Sequence, residues 1–251
     1  MIEYLERIYG ESLEQYHKEL ARSLENGEKQ FVVTVNPEIL MTAPSDEAVD
    51  RMLLDPRVTL IPDGISVVKA CQMKNIPVTE RMAGVELAEF LIKEAHLQKK
   101  SVYLFGAKSD VVLALKEKIE KEYPNAYICG ICDGYRQDKD SVFDEIAEMK
   151  PDVALIALGV PMQEKLIYKH FDRFDKGIFI GVGGSFDVLS GTKKRAPEFF
   201  IKHNIEWLYR IAKEPKRLKR FYNNNIKFIQ KIRKEKYKKR NRHLTKRMWF
   251  L

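Results

Sequence analysis

The sequence predicts an α/β protein: a mostly parallel, doubly wound (Rossmann-like) sheet with helices on both faces, followed by a basic helical C-terminal appendage. Three observations carry this expectation. From Phe31 onward, short β-branched apolar runs alternate with stretches of helical apolar period, the order that builds parallel β–α–β units. The longest apolar run, Val153 to Val160, is far short of the ~18 residues of a membrane span and fits a buried strand. Finally, charge changes sign along the chain. Residues 193–251 hold 21 Lys and Arg against 4 Glu, a net +17, whereas residues 1–192 hold 23 basic and 32 acidic residues, a net −9. The boundary this sets is a core over 1–192 and a basic, amphipathic appendage over 193–251. Such a segment seeks an anionic surface: phospholipid, nucleic acid or an acidic protein.

Taken in order, residues 2–25 read as one amphipathic helix on Ile2, Leu5, Ile8, Leu13, Leu20 and Leu24, closed by Asn26-Gly27. Phe31-Val32-Val33-Thr34-Val35 is a strand, and Asn36-Pro37 opens a helix with Pro at its first position. A helix over 44–54 and a strand over 58–61 follow, and Pro62-Asp63-Gly64 stops that strand. Helices are predicted over 65–74, 85–99, 110–123, 141–149 and 163–171, with strands over 102–106, 127–131, 153–158 and 178–182. From Ala196 the pattern is helical again. The N-terminus, with Glu3, Glu6 and Arg7, lacks the form of a secretory signal, and three cysteines make no disulfide framework. A cytoplasmic protein, free or peripheral on a membrane, is expected.

In such folds function sits at the C-terminal ends of strands. Asp63, Thr34 and Asn36 stand at two of those ends, and Arg81 precedes the next helix through Met82-Ala83-Gly84. Together they offer a carboxylate, a hydroxyl, an amide and a guanidinium, a set suited to a phosphate-bearing, hydroxyl-rich substrate. Asp63 also has an ordinary explanation, because Pro-Asp-Gly is a common turn and Asp a common helix cap. Gly159-Val160-Pro161-Met162-Gln163-Glu164 follows the strongest strand, where Gly159 lets backbone approach a ligand. Gly181-Val182-Gly183-Gly184-Ser185-Phe186-Asp187 is the clearest nucleotide cradle. Gly183 and Gly184 would clear space there, and Asp187 could bond ribose or base.

Weaker signals read as structural. Gly106-Ala107-Lys108 lacks the further glycines of a dinucleotide fingerprint. Cys129 and Cys132 read as two buried thiols, and Asp138-Lys139-Asp140 as helix capping in place of a metal-binding D-x-D. The histidines show no metal spacing. Arg210, Arg217 and Arg220 recur at roughly helical spacing, which by itself describes a solvated basic face. The terminal Lys246-Arg247-Met248-Trp249-Phe250-Leu251 suits a bilayer interface.

Five motifs in order resemble one known family. They are Thr34-Val35-Asn36-Pro37-Glu38, Pro62-Asp63-Gly64, Arg81 with Gly84, Gly159 to Glu164, and Gly181 to Asp187. From about Thr34 to about Arg220 the chain is similar to the WecG/TagA/CpsF glycosyltransferases, most of all to the TagA branch. The resemblance implies inverting transfer of N-acetylmannosamine from UDP-ManNAc to the 4-hydroxyl of GlcNAc on undecaprenyl diphosphate, which builds the linkage unit of wall teichoic acid. A relative using UDP-ManNAc uronic acid, or another UDP-sugar, for a surface polysaccharide is the alternative. It implies Asp63 as base, with Thr34 and Asn36 positioning the sugars and Arg81 and Gln163 contacting acceptor or phosphate. Without a metal site, Arg210, Arg217 and Arg220 are the surplus cations for the departing UDP. No cofactor is expected, an anionic membrane surface is, and homo-oligomerisation is left open. A nucleic-acid-binding protein would explain the tail but not the polar strand ends. A nicotinamide oxidoreductase would explain the alternation but not the incomplete glycine fingerprint.

Overall fold

The computed structural model describes residues 1–203 and 205–235, apart from the side chains of Arg210, Arg217 and Arg220. Six strands form one sheet: β1 (Lys29–Val35), β2 (Val58–Pro62), β3 (Ser101–Gly106), β4 (Tyr127–Cys132), β5 (Val153–Ala157) and β6 (Gly177–Gly181). Their order is β2-β1-β6-β5-β3-β4 and every pairing is parallel. The inner strands are apolar almost throughout because both faces are covered, which is why they read as runs and not as alternation.

The helices up to the end of β6 are α1 (Ile2–Leu5), α2 (Leu13–Asn26), α3 (Pro37–Thr42), α4 (Glu47–Leu54), α5 (Ile65–Met73), α6 (Gly84–Gln98), α7 (Ser109–Glu122), α8 (Lys139–Met149) and α9 (Met162–His170). Beyond it come α10 (Ser185–Leu189), α11 (Glu198–Lys202), α12 (Glu206–Lys213), α13 (Arg217–Phe221) and α14 (Lys227–Lys234). Residues of α1, α3, α4, α5, α8, α9 and α14 pack on one face of the sheet, with Phe31, Val33, Tyr103, Phe105 and Ile156. Residues of α2, α6, α7 and α10 pack on the other, with Val32, Leu104 and Leu155.

One feature differs from the sequence expectation. The N-terminal helix is two helices. Between them Ile8 bridges Leu60, the Tyr9 amide donates to the Leu60 carbonyl at 2.8 Å, and Ser12 caps the restart by accepting from the Gln15 amide. A Cβ at Gly10 would lie 2.8 Å from the Pro77 carbonyl oxygen, so only glycine lets the chain pass there. The apolar period survives the break because both short helices use it. The basic segment, for its part, packs back on the body. Phe228 and Ile232 of α14 are fully buried in the first layer, against α5. Asn225 accepts from Ser66 at 2.9 Å, and Lys74 donates to the Glu235 carbonyl at 2.5 Å. Apolar residues four apart on one face outweigh the basic composition of that helix.

Successive connections leave β3 and β5 in opposite directions, outward to β4 and inward to β6. In open parallel sheets ligands bind outside the strands' C-terminal ends, and such a reversal, here between β5 and β3, marks that end. No helix among the described residues is long and apolar enough to cross a membrane. The terminal Trp249, Phe250 and Leu251, with the basic residues before them, lie outside the described residues.

Candidate active site

β1 and β2 run in register, Thr34 beside Ile61 and Val35 beside Pro62, so their C-terminal ends share one edge. Thr34 is buried there. Its hydroxyl donates to the Gly181 carbonyl at the end of β6, 3.1 Å away, and its methyl packs on Gly84, where a Cβ would come within 3.3 Å. That contact fixes the start of α6 against β1. Asn36 caps α3, its Oδ1 accepting from the amides of Glu38 (2.9 Å) and Ile39 (3.1 Å). The cap uses the acceptor end of Asn36 and sets the course of the β1–α3 loop.

Asp63 extends the β1–β2 pairing by one bond, its amide donating to the Val35 carbonyl at 2.8 Å. Gly64, at φ 105°, then turns the chain into α5 and itself stands at the N-cap. The Asp63 carboxylate is therefore not the cap that its tripeptide suggests. It accepts instead from Arg81 Nε at 3.4 Å. Arg81 is brought over Asp63 by the next residue, whose amide donates to the Pro62 carbonyl at 2.8 Å. The other end of the guanidinium donates to Glu206 Oε2 of α12 at 3.5 Å. The side chains of Asp63, Arg81 and Glu206 are 29%, 18% and 6% exposed. Burial works against the Arg81 charge, but the carboxylates of Asp63, Glu206 and Glu86 outweigh it and hold the guanidinium above its ordinary pKa. Arg81 is thus engaged by carboxylates on two sides. Arg195 reaches Glu86 in turn, at 2.5 Å, so residues 195 and 206 both tie the basic segment to this edge.

Further along the same end of the sheet stand the glycine loops after β5 and β6. Gly159 (φ 83°) and Gly183 (φ 52°) adopt left-handed conformations, and a Cβ on either, or on Gly184, would meet nothing within 4 Å. Backbone faces open space here, as a bound diphosphate or sugar needs. Gln163 joins the loops from beneath: its Oε1 accepts from the amides of Gly159 (3.1 Å) and Gly183 (3.0 Å), and its Nε2 donates to Glu164 (2.7 Å). It is 1% exposed, with its amide held between the two loops. Asp187 pairs with Lys193 at 2.8 Å, the first residue of the basic segment. Arg210 lies on α12, and Arg217 and Arg220 on α13; the side chains of all three lie outside the described residues.

Sequence reasoning passed over two residues. Glu206 is one of only 4 acidic residues in the basic segment, and that isolation was the available signal. Glu164, the last residue of the Gly159 to Glu164 motif, shows in the sequence only as the first-turn acid of a helix. It is fully buried, and desolvation pushes its carboxyl up to about 7 despite the opposing Gln163 bond. A carboxyl shifted upward keeps its proton in the folded protein while the unfolded chain ionises. Stability is therefore complete below the ordinary value near 4.5 and falls as pH rises towards 7. Glu164→Gln, which cannot ionise, should gain on the wild type by roughly 3 kcal/mol across that window. Thermal melts at pH 5 and pH 8.5 check this: the difference between the two proteins should widen with pH, and a constant difference would refute it.

Asp138 caps α8 through the Ser141 amide at 3.1 Å, and Asp140 pairs with Lys169 and His170. Among the described residues no group of three or more His, Cys, Asp or Glu could hold a metal ion. Cys129 and Cys132 are free thiols, both pushed up by burial, Cys129 to about 11.

Residues 6–242 match the model of the glycosyl transferase WecG/TagA/CpsF family. An N-acetylglucosaminyldiphosphoundecaprenol N-acetyl-beta-D-mannosaminyltransferase of Bacillus subtilis (strain 168) is 41% identical over 208 residues, covering 83% of this chain and 81% of its own. The protein of that name from Bacillus spizizenii is 40% identical over 78% of this chain and 76% of its own. The one from Staphylococcus aureus (strain MW2) is 37% identical over 83% and 81%. With a family match across nearly its whole length and relatives this similar, the chain belongs to the WecG/TagA/CpsF family of glycosyl transferases.

Proposed function

We propose that this protein moves N-acetylmannosamine from UDP-ManNAc to the 4-hydroxyl of GlcNAc on undecaprenyl diphosphate, with inversion, as a step in wall teichoic acid linkage-unit synthesis. The observation that carries the reading is the Asp63 carboxylate held by Arg81 at the C-terminal ends of β1 and β2, the same end of the sheet at which Gly159 and Gly183 present open backbone. Asp63 takes the proton from the acceptor O4 as that oxygen attacks the anomeric carbon. The bond from that carbon to the UDP oxygen breaks, and UDP leaves towards the glycine loops. Thr34 ties the β1 edge to β6, Asn36 shapes the adjoining loop, and Asp187 borders the cradle. Arg81, already between Asp63 and Glu206, orients the base rather than neutralising the diphosphate. That charge falls to other cations, and Arg210, Arg217 and Arg220 on α12 and α13 are our assignment for it.

A lipid-linked acceptor asks for a membrane surface. The exposed apolar side chains of Trp207, Leu208, Leu218 and Tyr222, on a segment of strong positive charge, support peripheral attachment to an anionic cytoplasmic face. No cofactor enters the reading, and transfer proceeds without a metal.

A panel of UDP-sugars offered with a short lipid-diphosphate-GlcNAc acceptor tests it. UDP release is expected from UDP-ManNAc, dependent on acceptor and persisting in EDTA. Release from none of the panel would sink the reading. Loss in EDTA with rescue by Mn²⁺ would make the metal-free step wrong.

A further inference from the structure

Glu164 follows Gln163 in the first turn of α9 and is 0% exposed. Its Oε1 accepts from Gln163 Nε2 at 2.7 Å, whereas its Oε2 is buried without a hydrogen-bond partner among the described residues. An orphaned buried oxygen destabilises the fold. Local stability therefore does not explain a carboxyl at this place.

Gln163 does explain it. The two ends of a primary amide have nearly the same shape, so their partners decide which way the amide faces. One end of Gln163 meets two donors, the amides of Gly159 and Gly183, and only oxygen fits there. The other end meets Glu164. An ionised carboxyl at that end, the form present above about pH 7, makes the reversed amide doubly unfavourable, oxygen against oxygen on one side and NH2 against two N–H groups on the other. With nothing there, only the glycine end would hold the orientation. The fit is close on the remaining side as well, since a Cβ at Gly181 would stand 2.5 Å from Gln163 Nε2. Through the Gly181 carbonyl the same block reaches the Thr34 hydroxyl, and so the strand edge that carries Asp63.

We propose that Glu164 is a positioning residue for sugar transfer: its carboxyl orients the Gln163 amide, which gathers the loops of Gly159 and Gly183 into the wall that receives the donor. The proposal rests on the functional reading above. It touches neither substrate nor proton transfer directly. Its effect is on placement, where a displacement of about 1 Å costs on the order of 10²-fold in rate.

The test is a double-mutant cycle read in two ways. In UDP-ManNAc transfer, Glu164→Leu and Gln163→Leu should each lower kcat/KM about 10- to 100-fold. The double variant should be no worse than either single one, because both act through one amide. Glu164→Gln retains an acceptor oxygen and should stay within about threefold of wild type. In the substrate-free protein, hydrogen exchange at the Gly159 and Gly183 amides should quicken in both Leu variants and stay unchanged in Glu164→Gln. Normal exchange and turnover in Glu164→Leu would overturn the proposal, and so would additive losses in the double variant. Should Glu164→Leu fail to fold, Glu164→Gln decides alone: a tenfold loss in a protein that melts no lower than the wild type overturns the proposal, and retained turnover with unchanged exchange upholds it. Exchange needs no substrate. A protein that transfers no UDP-sugar would therefore void the functional reading and still leave the exchange result to judge the positioning.

Discussion

Asp63→Asn is expected to lower turnover by about 10²–10⁴-fold, the usual contribution of a general base, with thermal stability and UDP affinity little changed. The substitution keeps the shape and the amide bond to Val35 that fixes the end of β2. It does not disturb the turn, because Gly64, and not Asp63, caps α5. What it removes is the negative charge that can accept a proton from the acceptor hydroxyl. Arg81 keeps Glu206, so the guanidinium is not stranded in a buried site. Melting curves and UDP binding measured beside turnover separate chemistry from folding. Turnover within a few-fold of wild type would return Asp63 to the turn-forming role that its neighbours Pro62 and Gly64 suggest, and the base would have to be sought elsewhere.

That ambiguity at Asp63 marks how far the sequence could be read. The alternation of strands and helices was legible because inner parallel strands are apolar on both faces, and Val153 to Ala157 has no other reading. Gly159, Gly183 and Gly184 were legible as an opening because a missing side chain is written in the sequence. What a side chain does with its hydrogen bonds was not. Asn36 and Gln163 both look like substrate-facing amides at strand ends. The first lends its oxygen to a helix cap, and the second is turned inward between two loops. Periodicity also hid the break at Gly10, since Ile8 and Leu13 keep helical spacing on either side of a chain that stops to bridge β2. Glu206 was least visible, because its partner Arg81 lies 125 residues away in the chain.

The second large effect concerns where the chain can be cut. Ending it after Gly191 is expected to destabilise the fold severely, not merely to detach an anchor. Phe228 and Ile232 lie fully buried among core residues of the first layer. Truncating one such side chain to Ala typically costs about 2–5 kcal/mol, a large part of an ordinary domain's stability. The same cut removes Glu206 from Arg81 and Arg195 from Glu86. Ending the chain after Glu235 keeps all of these contacts and removes residues 236–251, which carry 7 Lys and Arg and no acidic residue. Each such charge near an anionic bilayer contributes about 1 kcal/mol. The chain ending at Glu235 should therefore melt like the full chain and turn over a short soluble acceptor at its rate. Its binding to vesicles rich in acidic lipid should fall at least tenfold (about 1.4 kcal/mol). Soluble-acceptor turnover lost in the chain ending at Glu235 would mean that residues 236–251 complete the site. A stable, fully active chain ending at Gly191 would mean that Glu206 and the buried α14 contribute nothing to the fold or to Arg81.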